Sequence, residues 1–446
     1  MTLCRQLNQH SPMDKAMKIF NILLAILTIP PLTLPRECRA ATLPEDHSSS
    51  DSTSAIIQKA QVLYSDGMYP KVIDIMRASG IDTVDARASS LTGMSYSAMN
   101  DCDNAFDFLK RACLKDSANI SYRYQLALFS AQCGLIQEAE KEYRIIIELD
   151  STFLPAFVRL GIIYTDQKLF DQAKVCFAHA ITCNPRDYLS NYYMGTLLAM
   201  SSDKDSAMTF LKNCIQLNKG FVPAIDVLAS LLYAQKDFYG ALELYQKASA
   251  FRPTTPDYLY KVGLCYRQLK EYDTAIVYLR KAAAIDTTNA GYFAQLAYCY
   301  YFKEQYDSSI TYGLKAISID DENYTYYTNL ALSYQKLNSE DGLIRVYKKM
   351  IDLHHPDDIA GLYFQIAMEY SPQKQTSEAV DAYRRALAIK PYYPSALFAL
   401  GECYEIAGNI PAARKTYEQF IQQTASDSTE NIRRGSVKYR LKKLGQ

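Results

Sequence analysis

The sequence predicts an all-α protein built as a solenoid, and two observations carry this prediction. Small residues recur with a period of 34 from Gly93 to Ala331, and a second small column runs with the same period from Ala105 to Ala275. Each period also contains two stretches of helical apolar spacing, separated by a short polar turn. One such unit cannot bury its own apolar stripe, so successive units are expected to stack along an axis.

The period at residues 154–187 shows why each half is expected to be a helix. Its first half places residues of the apolar stripe at i, i+3, i+4 and i+7, namely Phe157, Leu160, Gly161 and Tyr164. Its second half repeats the helical spacing with Ala173, Phe177 and Ala180. The small residues allow two antiparallel helices to approach closely, and Pro185 stops the second helix.

Composition places the chain among ordered proteins without a global charge that would attract polyanions. Of 446 residues, 49% are apolar and 22% are charged, far from the disordered regime. Lysine plus arginine and aspartate plus glutamate number 48 each, so we expect no nucleic-acid partner. Only 17 glycines and 16 prolines count against a turn-rich β protein.

Residues 1–40 are predicted to be an export signal. Lys15 and Lys18 precede the apolar stretch 19–29, which is too short to span a bilayer but suits a signal-peptide core. We expect cleavage after Ala40, then a flexible linker at 41–52, and no transmembrane helix in the mature chain. The protein is therefore expected in the periplasm or peripherally on the cell envelope. The alternative is an uncleaved signal that anchors it to the cytoplasmic membrane.

The repeats strongly resemble the tetratricopeptide repeat (TPR) family. The unit at 156–185 carries a large residue, a Leu-Gly pair, a tyrosine, spaced alanines and a terminal proline in the order typical of that family. The resemblance covers 53–427, or about eleven units. It implies a right-handed α-solenoid superhelix of about eleven helical hairpins, followed by a C-terminal capping helix at 428–446.

Two segments depart from the repeat. The capping helix is expected to turn its basic residues to water, with contact to phosphate or anionic lipid as the alternative. Its apolar residues are expected to pack on the last repeat, and these are Ile432, Val437, Leu441 and Leu444. The stretch 354–358 (HHPDD) is interpreted as a polar turn, with a metal site as the alternative.

The sequence predicts no catalytic residue, no cofactor and no metal. It contains no Gly-rich phosphate loop, zinc-ligand spacing or nucleophile elbow. No stretch outside the signal, the repeats and the cap is long enough for a catalytic domain. Most cysteines occupy packing positions, and only Cys102, Cys113 and Cys133 stay without an assignment. We therefore expect a binding protein rather than an enzyme.

The family resemblance implies that the first helices of the repeats line a concave groove that binds peptides or partner helices. First-helix positions outside the packing columns are mostly apolar or aromatic, which suits a protein interface. The predicted groove residues are Tyr124, Val158, Ile162, Tyr192, Tyr260, Leu264, Tyr298, Tyr301, Phe302, Leu332, Phe364, Met368 and Phe398. The alternative for each of them is a role in packing.

The predicted function is that of an exported bacterial scaffold or adaptor, which binds a protein or an apolar peptide segment within an envelope assembly. The alternative is a periplasmic accessory protein that handles carbohydrate or another polymer, since tyrosine-rich surfaces also stack sugars. The strongest candidate site is Tyr298, Tyr301 and Phe302, which share one helix at spacings of three and four. Tyr300 on the same helix belongs to a packing column.

Overall fold

The computed structural model describes residues 51–201, 203–353, 359–372 and 375–444, and these contain helices and turns but no strand. The predicted signal at 1–40, the linker up to residue 50 and the 354–358 turn lie outside the described residues. The first described helix begins at Asp51, so the last two residues of the predicted linker are helical. The chain divides after Gln235 into two compact units, which we call the first unit and the second unit. In all other uses, a unit is one helix pair of the repeat.

The described part of the first unit is made of eleven α-helices and one short 3₁₀ turn, Ile81–Thr83. Helices α1 to α10 form five consecutive pairs, and α11 follows them. The helices are α1 (Asp51–Ser65), α2 (Tyr69–Ser79), α3 (Ala86–Ala98), α4 (Cys102–Lys115), α5 (Ile120–Gln132), α6 (Ile136–Leu149), α7 (Leu154–Asp166), α8 (Phe170–Cys183), α9 (Tyr188–Met200), α10 (Lys204–Leu217) and α11 (Val222–Ala234).

The described part of the second unit begins with α12, continues with five helix pairs and ends with α23. Among the described residues, α1 to α22 are twenty-two helices, the number that eleven predicted hairpins require. The helices are α12 (Phe238–Phe251), α13 (Pro256–Gln268), α14 (Tyr272–Ile285), α15 (Ala290–Phe302), α16 (Tyr306–Ile319), α17 (Tyr324–Lys336), α18 (Glu340–Asp352), α19 (Ile359–Tyr370), α20 (Thr376–Ile389), α21 (Pro394–Ile406), α22 (Ile410–Gln423) and α23 (Asn431–Lys443).

The small columns lie where the two helices of a unit cross, as the sequence predicts. The alanines of the second column, such as Ala139, Ala173 and Ala207, have no exposed surface. A Cβ atom on Gly161 would lie 2.5 Å from Cε1 of Phe177, and one on Gly195 would lie 2.8 Å from Cγ of Leu211. The first column is therefore small because the partner helix occupies the space of a side chain.

Replacing Gly161 by leucine is expected to lower the free energy of unfolding by about 1–3 kcal/mol, because the new side chain overpacks the contact with Phe177. In a repeat protein each unit touches only its neighbours. Hydrogen exchange should therefore show loosening concentrated around α7 and α8. Gly435→Leu is the matched control, since a Cβ at Gly435 meets no atom within 4 Å. Uniform loosening along the chain, or none, would contradict this interpretation.

The turn between the helices of a unit has one repeated backbone conformation. A single residue with positive φ recurs at the same place in the period, whether or not it is glycine. Described examples are Asn100, Gly134, Lys168, Lys236, Lys270, Glu304, Asn338 and Gly408. Because most of these residues are not glycine, residue type alone did not reveal the turn.

Tyrosines recur at one position of the first helices, among them Tyr164, Tyr300 and Tyr370, and we call them the aromatic column. Tyr164 and Tyr370 accept hydrogen bonds from polar side chains of the preceding helix. Arg144 in α6 donates two hydrogen bonds to the Tyr164 hydroxyl in α7, at 3.1 and 2.8 Å. Lys348 in α18 donates to the Tyr370 hydroxyl in α19 at 2.9 Å. Each contact ties a second helix to the next first helix, so the column stabilises the stacking of units as well as each unit.

Helix α23 packs on the last pair, α21 and α22, but not with all the residues expected. Val437 is fully buried, and Leu441 and Leu444 lie against the core of the second unit. Ile432 is 88% exposed, so its predicted packing is wrong. Arg440 was expected to face water, and instead it forms ion pairs with Glu402 and Glu405, both at 2.8 Å. Two ion pairs and a small number of apolar contacts therefore hold α23 against the last repeat.

Candidate partner-binding site

Three predicted groove residues come together at the C-terminal end of α15. The ring of Phe302 lies 4.6 Å from that of Tyr298 and 5.3 Å from that of Tyr301, between ring centroids. Phe302 is 42% exposed, and the two tyrosines are half-buried. We call these three residues the α15 aromatic cluster. Their spacing of three and four residues puts them on one side of the helix.

Neighbouring helices extend this cluster at its edges. Tyr272, the first residue of α14, stacks on Phe302 with centroids 5.5 Å apart. Tyr306, the first residue of α16, meets Tyr301 edge-on at 5.7 Å. Tyr300 lies apart from them and stacks on Tyr312 of α16 at 5.2 Å. The structure thus separates Tyr300 from the cluster, as its place in the packing column predicts.

Two cations border the aromatic cluster. The Arg267 guanidinium lies over the Tyr298 ring, 5.0 Å from its centroid, and donates a hydrogen bond to Gln295 Oε1. Lys303 forms an ion pair with Asp273. A cation over an aromatic face is attracted by the ring quadrupole, so Arg267 is held in one orientation. This stacking depends on how α13 and α15 pack, so helical spacing alone does not predict it.

Two cysteines, one on α13 and one on α15, do not have reactive thiols. Cys265 and Cys299 have no exposed surface. Burial raises the pKa of each thiol to about 12, so both stay protonated at neutral pH. Only a thiolate is a good nucleophile, so these cysteines serve packing, as the sequence predicted. Burial likewise raises the pKa of Tyr272.

Three predicted groove residues in the first unit are buried and contribute to packing. Tyr124 and Val158 retain 4% and 3% of their exposure, and Tyr192 retains none. The ring of Phe153, the residue before α7, covers Tyr124 at 5.4 Å. In the same way Phe221, before α11, covers Tyr192 at 5.1 Å. These three residues therefore do not offer free surface to a ligand.

The covering aromatic residue follows the groove position by 29 residues in both cases, and this spacing is visible in the sequence. The same relation links Phe364 to Tyr393, whose rings lie 5.1 Å apart. The residue that follows Tyr260 by 29 is Asn289. Tyr260 instead meets the ring of Tyr292 at 5.0 Å. A bulky residue before the next first helix is thus a signal that the groove position is covered.

The remaining predicted groove residues are spread along the chain with varied exposure. Met368 is exposed, and Phe364 and Phe398 pack against the core of the second unit. The half-buried members are Ile162, Tyr260, Leu264, Leu332, Phe364 and Phe398. Of the predicted set, the α15 aromatic cluster combines mutual ring contacts with an exposed ring.

Two features are absent from the described residues. No helix among them is long and apolar enough to cross a bilayer. They also contain no group of three or more histidine, cysteine, aspartate or glutamate side chains placed to hold a metal ion. The stretch 354–358, with the alternative metal site, lies outside the described residues.

The helix pairs and their buried small columns define a helical-repeat protein, and comparison with known families identifies the repeat. Tetratricopeptide repeat family models match residues 154–187, 227–290, 290–323 and 373–430. The chain therefore carries tetratricopeptide repeats.

Two curated proteins have sequences related to this chain. The TPR repeat-containing protein YpiA of Bacillus subtilis is 18% identical over 218 residues, which are 48% of this chain and 51% of YpiA. The BBSome complex member BBS4 of Bos taurus is 20% identical over 219 residues, which are 49% of this chain and 42% of BBS4. The chain thus spans about half the length of these relatives.

Solved structures that align with this chain include two that are described as TPR proteins. The C-terminal part of a TPR repeat-containing protein from Cytophaga hutchinsonii is 17% identical, with a TM-score of 0.49, covering 54% of this chain and 98% of that chain. Yeast Tom70 is 14% identical, with a TM-score of 0.36, covering 89% of this chain and 96% of that chain. YrrB, described as a TPR protein with an unusual peptide-binding site, is 21% identical, with a TM-score of 0.36, covering 40% of this chain and 92% of that chain.

Proposed function

We propose that this protein is an exported scaffold that binds a protein partner through the α15 aromatic cluster. The observation that carries the proposal is the exposed Phe302 ring in contact with Tyr298 and Tyr301. Aromatic side chains dominate the energetics of protein interfaces, because they bury much area at little entropic cost. Helices α13, α15 and α16 support the cluster, so little ordering is needed when a partner binds.

The arrangement of the rings favours a protein segment over a sugar as the ligand. A sugar stacks on an open aromatic face, but Arg267 lies over one face of Tyr298. Phe302 is likewise stacked on Tyr272. The cluster therefore presents ring edges and apolar surface next to the guanidinium of Arg267. This surface suits an apolar side chain flanked by a carbonyl or carboxylate oxygen.

We expect Tyr298→Ala with Tyr301→Ala to weaken partner binding at least tenfold, because each interface aromatic contributes about 2 kcal/mol or more. The measurement is quantitative affinity capture from envelope extracts with wild-type and variant protein, followed by mass spectrometry. Tyr239→Ala is the matched control, since Tyr239 is an exposed tyrosine on α12, which lies with α15 in the second compact unit.

A melting curve separates binding from folding in this experiment. If the double variant melts far below the wild type, the tyrosines are core residues and the site assignment is wrong. Phe302→Ala provides the milder second variant, because its ring is partly exposed. If the stable variant captures the same partner as well as the wild type does, the binding site lies elsewhere on the protein. Capture of a glycan instead of a protein would favour the carbohydrate-handling alternative.

Export is the second part of the proposal, and a disulfide supports it. Cys102 and Cys133 are bonded, with Cα atoms 6.2 Å apart. Structural disulfides persist in oxidising compartments and are rare in the cytosol. The other described cysteines are free, and Cys113, left unassigned by the sequence, is buried.

Residues 1–40 are proposed to direct this export and to be removed afterwards. Mature protein isolated from the envelope fraction should therefore begin at Ala41 or within a few residues of it, which N-terminal sequencing can determine. Envelope-associated protein that retains the residues before Ala40 would instead favour an uncleaved anchor. Protein confined to the cytosol would reject export.

A further inference from the structure

Helix α23 has one face buried and one face open to solvent. Val437 has no exposed surface, and Arg440 is fixed by Glu402 and Glu405. On the opposite side, Ile432 is 88% and Tyr439 is 72% exposed. These two residues are seven apart, so they lie in line along the open face. Large apolar side chains in this position are not explained by the capping of the last repeat.

The open face also carries positive charge that is only partly compensated, since Glu405 interacts electrostatically with Lys443 as well as with Arg440. Residues 431–443 contain six basic residues and no acidic one. Three of the six are engaged, because Arg434 donates to the carbonyl oxygens of Thr424 and Asp427 while Arg433 and Arg440 form ion pairs. The other three are exposed and form no ion pair with the described residues, and these are Lys438, Lys442 and Lys443.

We propose that the open face of α23 docks on a bilayer surface that contains anionic phospholipids. Lys442 and Lys443 follow Tyr439 by three and four residues, so they flank its ring on the open face. Helices that lie in the bilayer interface combine basic residues with large apolar side chains, and the open face of α23 carries lysines beside Ile432 and Tyr439. Lysines near an anionic membrane are attracted to it, and tyrosine rings favour the headgroup level.

Charge complementarity points to a lipid surface in particular. Outside α23 the chain has 42 basic and 48 acidic residues, so it carries no excess of positive charge. Attraction to an anionic surface would therefore be local to α23 and would orient the protein. The exposed Ile432 and Tyr439 add apolar contacts that a soluble polyanion would not use. This docking does not depend on the α15 aromatic cluster and adds a membrane surface to the proposed protein partner.

The test is flotation of the whole mature protein with vesicles of phosphatidylglycerol and phosphatidylcholine, compared with vesicles of phosphatidylcholine alone. We expect binding to the anionic vesicles, weakened at least tenfold by Lys438→Glu, Lys442→Glu and Lys443→Glu together. The charge-matched control reverses three exposed lysines of the first unit, Lys174, Lys204 and Lys212, to glutamate. This control should retain binding, because it changes net charge equally but leaves α23 intact.

A second variant tests the apolar part of the face. Ile432→Ala with Tyr439→Ala should also weaken flotation, by about fivefold or more, whereas Tyr239→Ala should not. Melting curves should match the wild type for all variants, because every changed side chain is exposed. Equal binding to uncharged vesicles, no binding to either vesicle, or normal binding by both α23 variants would overturn the proposal. Tighter binding to a DNA duplex than to the anionic vesicles would reassign the face to nucleic acid.

Discussion

Replacing Glu142 by alanine is expected to lower the free energy of unfolding by about 3–5 kcal/mol. Glu142 Oε2 in α6 lies 2.6 Å from Arg123 Nη1 in α5, and the two side chains are 8% and 14% exposed. Arg123 Nε also donates to the Ser117 carbonyl oxygen at 2.7 Å. Without Glu142 the guanidinium would stay desolvated and lose its charged partner, which costs more than the pair itself contributes. Denaturant unfolding of the whole chain measures the change.

Two controls distinguish the loss of a buried partner from the loss of any ion pair. Glu243→Ala breaks the exposed pair with Lys247 on α12 and should cost about 1 kcal/mol or less. Arg123→Met combined with Glu142→Leu removes both charges and should recover most of the stability lost by Glu142→Ala. A Glu142→Ala protein as stable as the Glu243→Ala protein would show that water reaches this pair.

Removing the disulfide is expected to lower the stability of the first unit by about 2–4 kcal/mol. Cys102 is the first residue of α4 and Cys133 follows the end of α5, so the bond joins two successive repeats. The bond closes a loop of 31 residues, which restricts the unfolded chain. Hydrogen exchange of the Cys102→Ser, Cys133→Ser protein should show faster opening of α3 to α6.

Reduction provides the matched comparison for this variant. A thiol reductant should destabilise the wild type about as much as the double substitution does, and it should leave the double variant unchanged. Cys183→Ser alters an exposed free thiol and should have almost no effect. Equal stability of oxidised and reduced wild type would mean that the repeats hold this region without the bond.

The repeat architecture could be predicted from the sequence because its cause is local and repeated. Gly161 and Ala173 are small because two helices cross there, and the same requirement returns in each unit. The cap was harder to predict. Val437 follows the apolar pattern, but Arg440 finds its carboxylate partners on α21, 35 and 38 residues away. A single helix pattern does not reveal such partners.

The candidate site was predictable in part. Helical spacing was enough to place Tyr298, Tyr301 and Phe302 together and to separate them from Tyr300. The same reasoning failed for Tyr124 and Tyr192, because helical spacing does not show which neighbour covers a residue. Their burial depends on aromatic residues that precede the next first helix.

The sequence by itself determined the repeat, the number of helix pairs and the packing columns, since each of these follows from helical period and side-chain size. Only the tertiary structure decided which side chains stay exposed, which cysteines are bonded and which charges are paired. Cys102 meets Cys133, and Arg123 meets Glu142, through the packing of neighbouring helices. Periodicity specifies the face of a helix that is buried, but the distance between two particular atoms depends on how neighbouring helices pack.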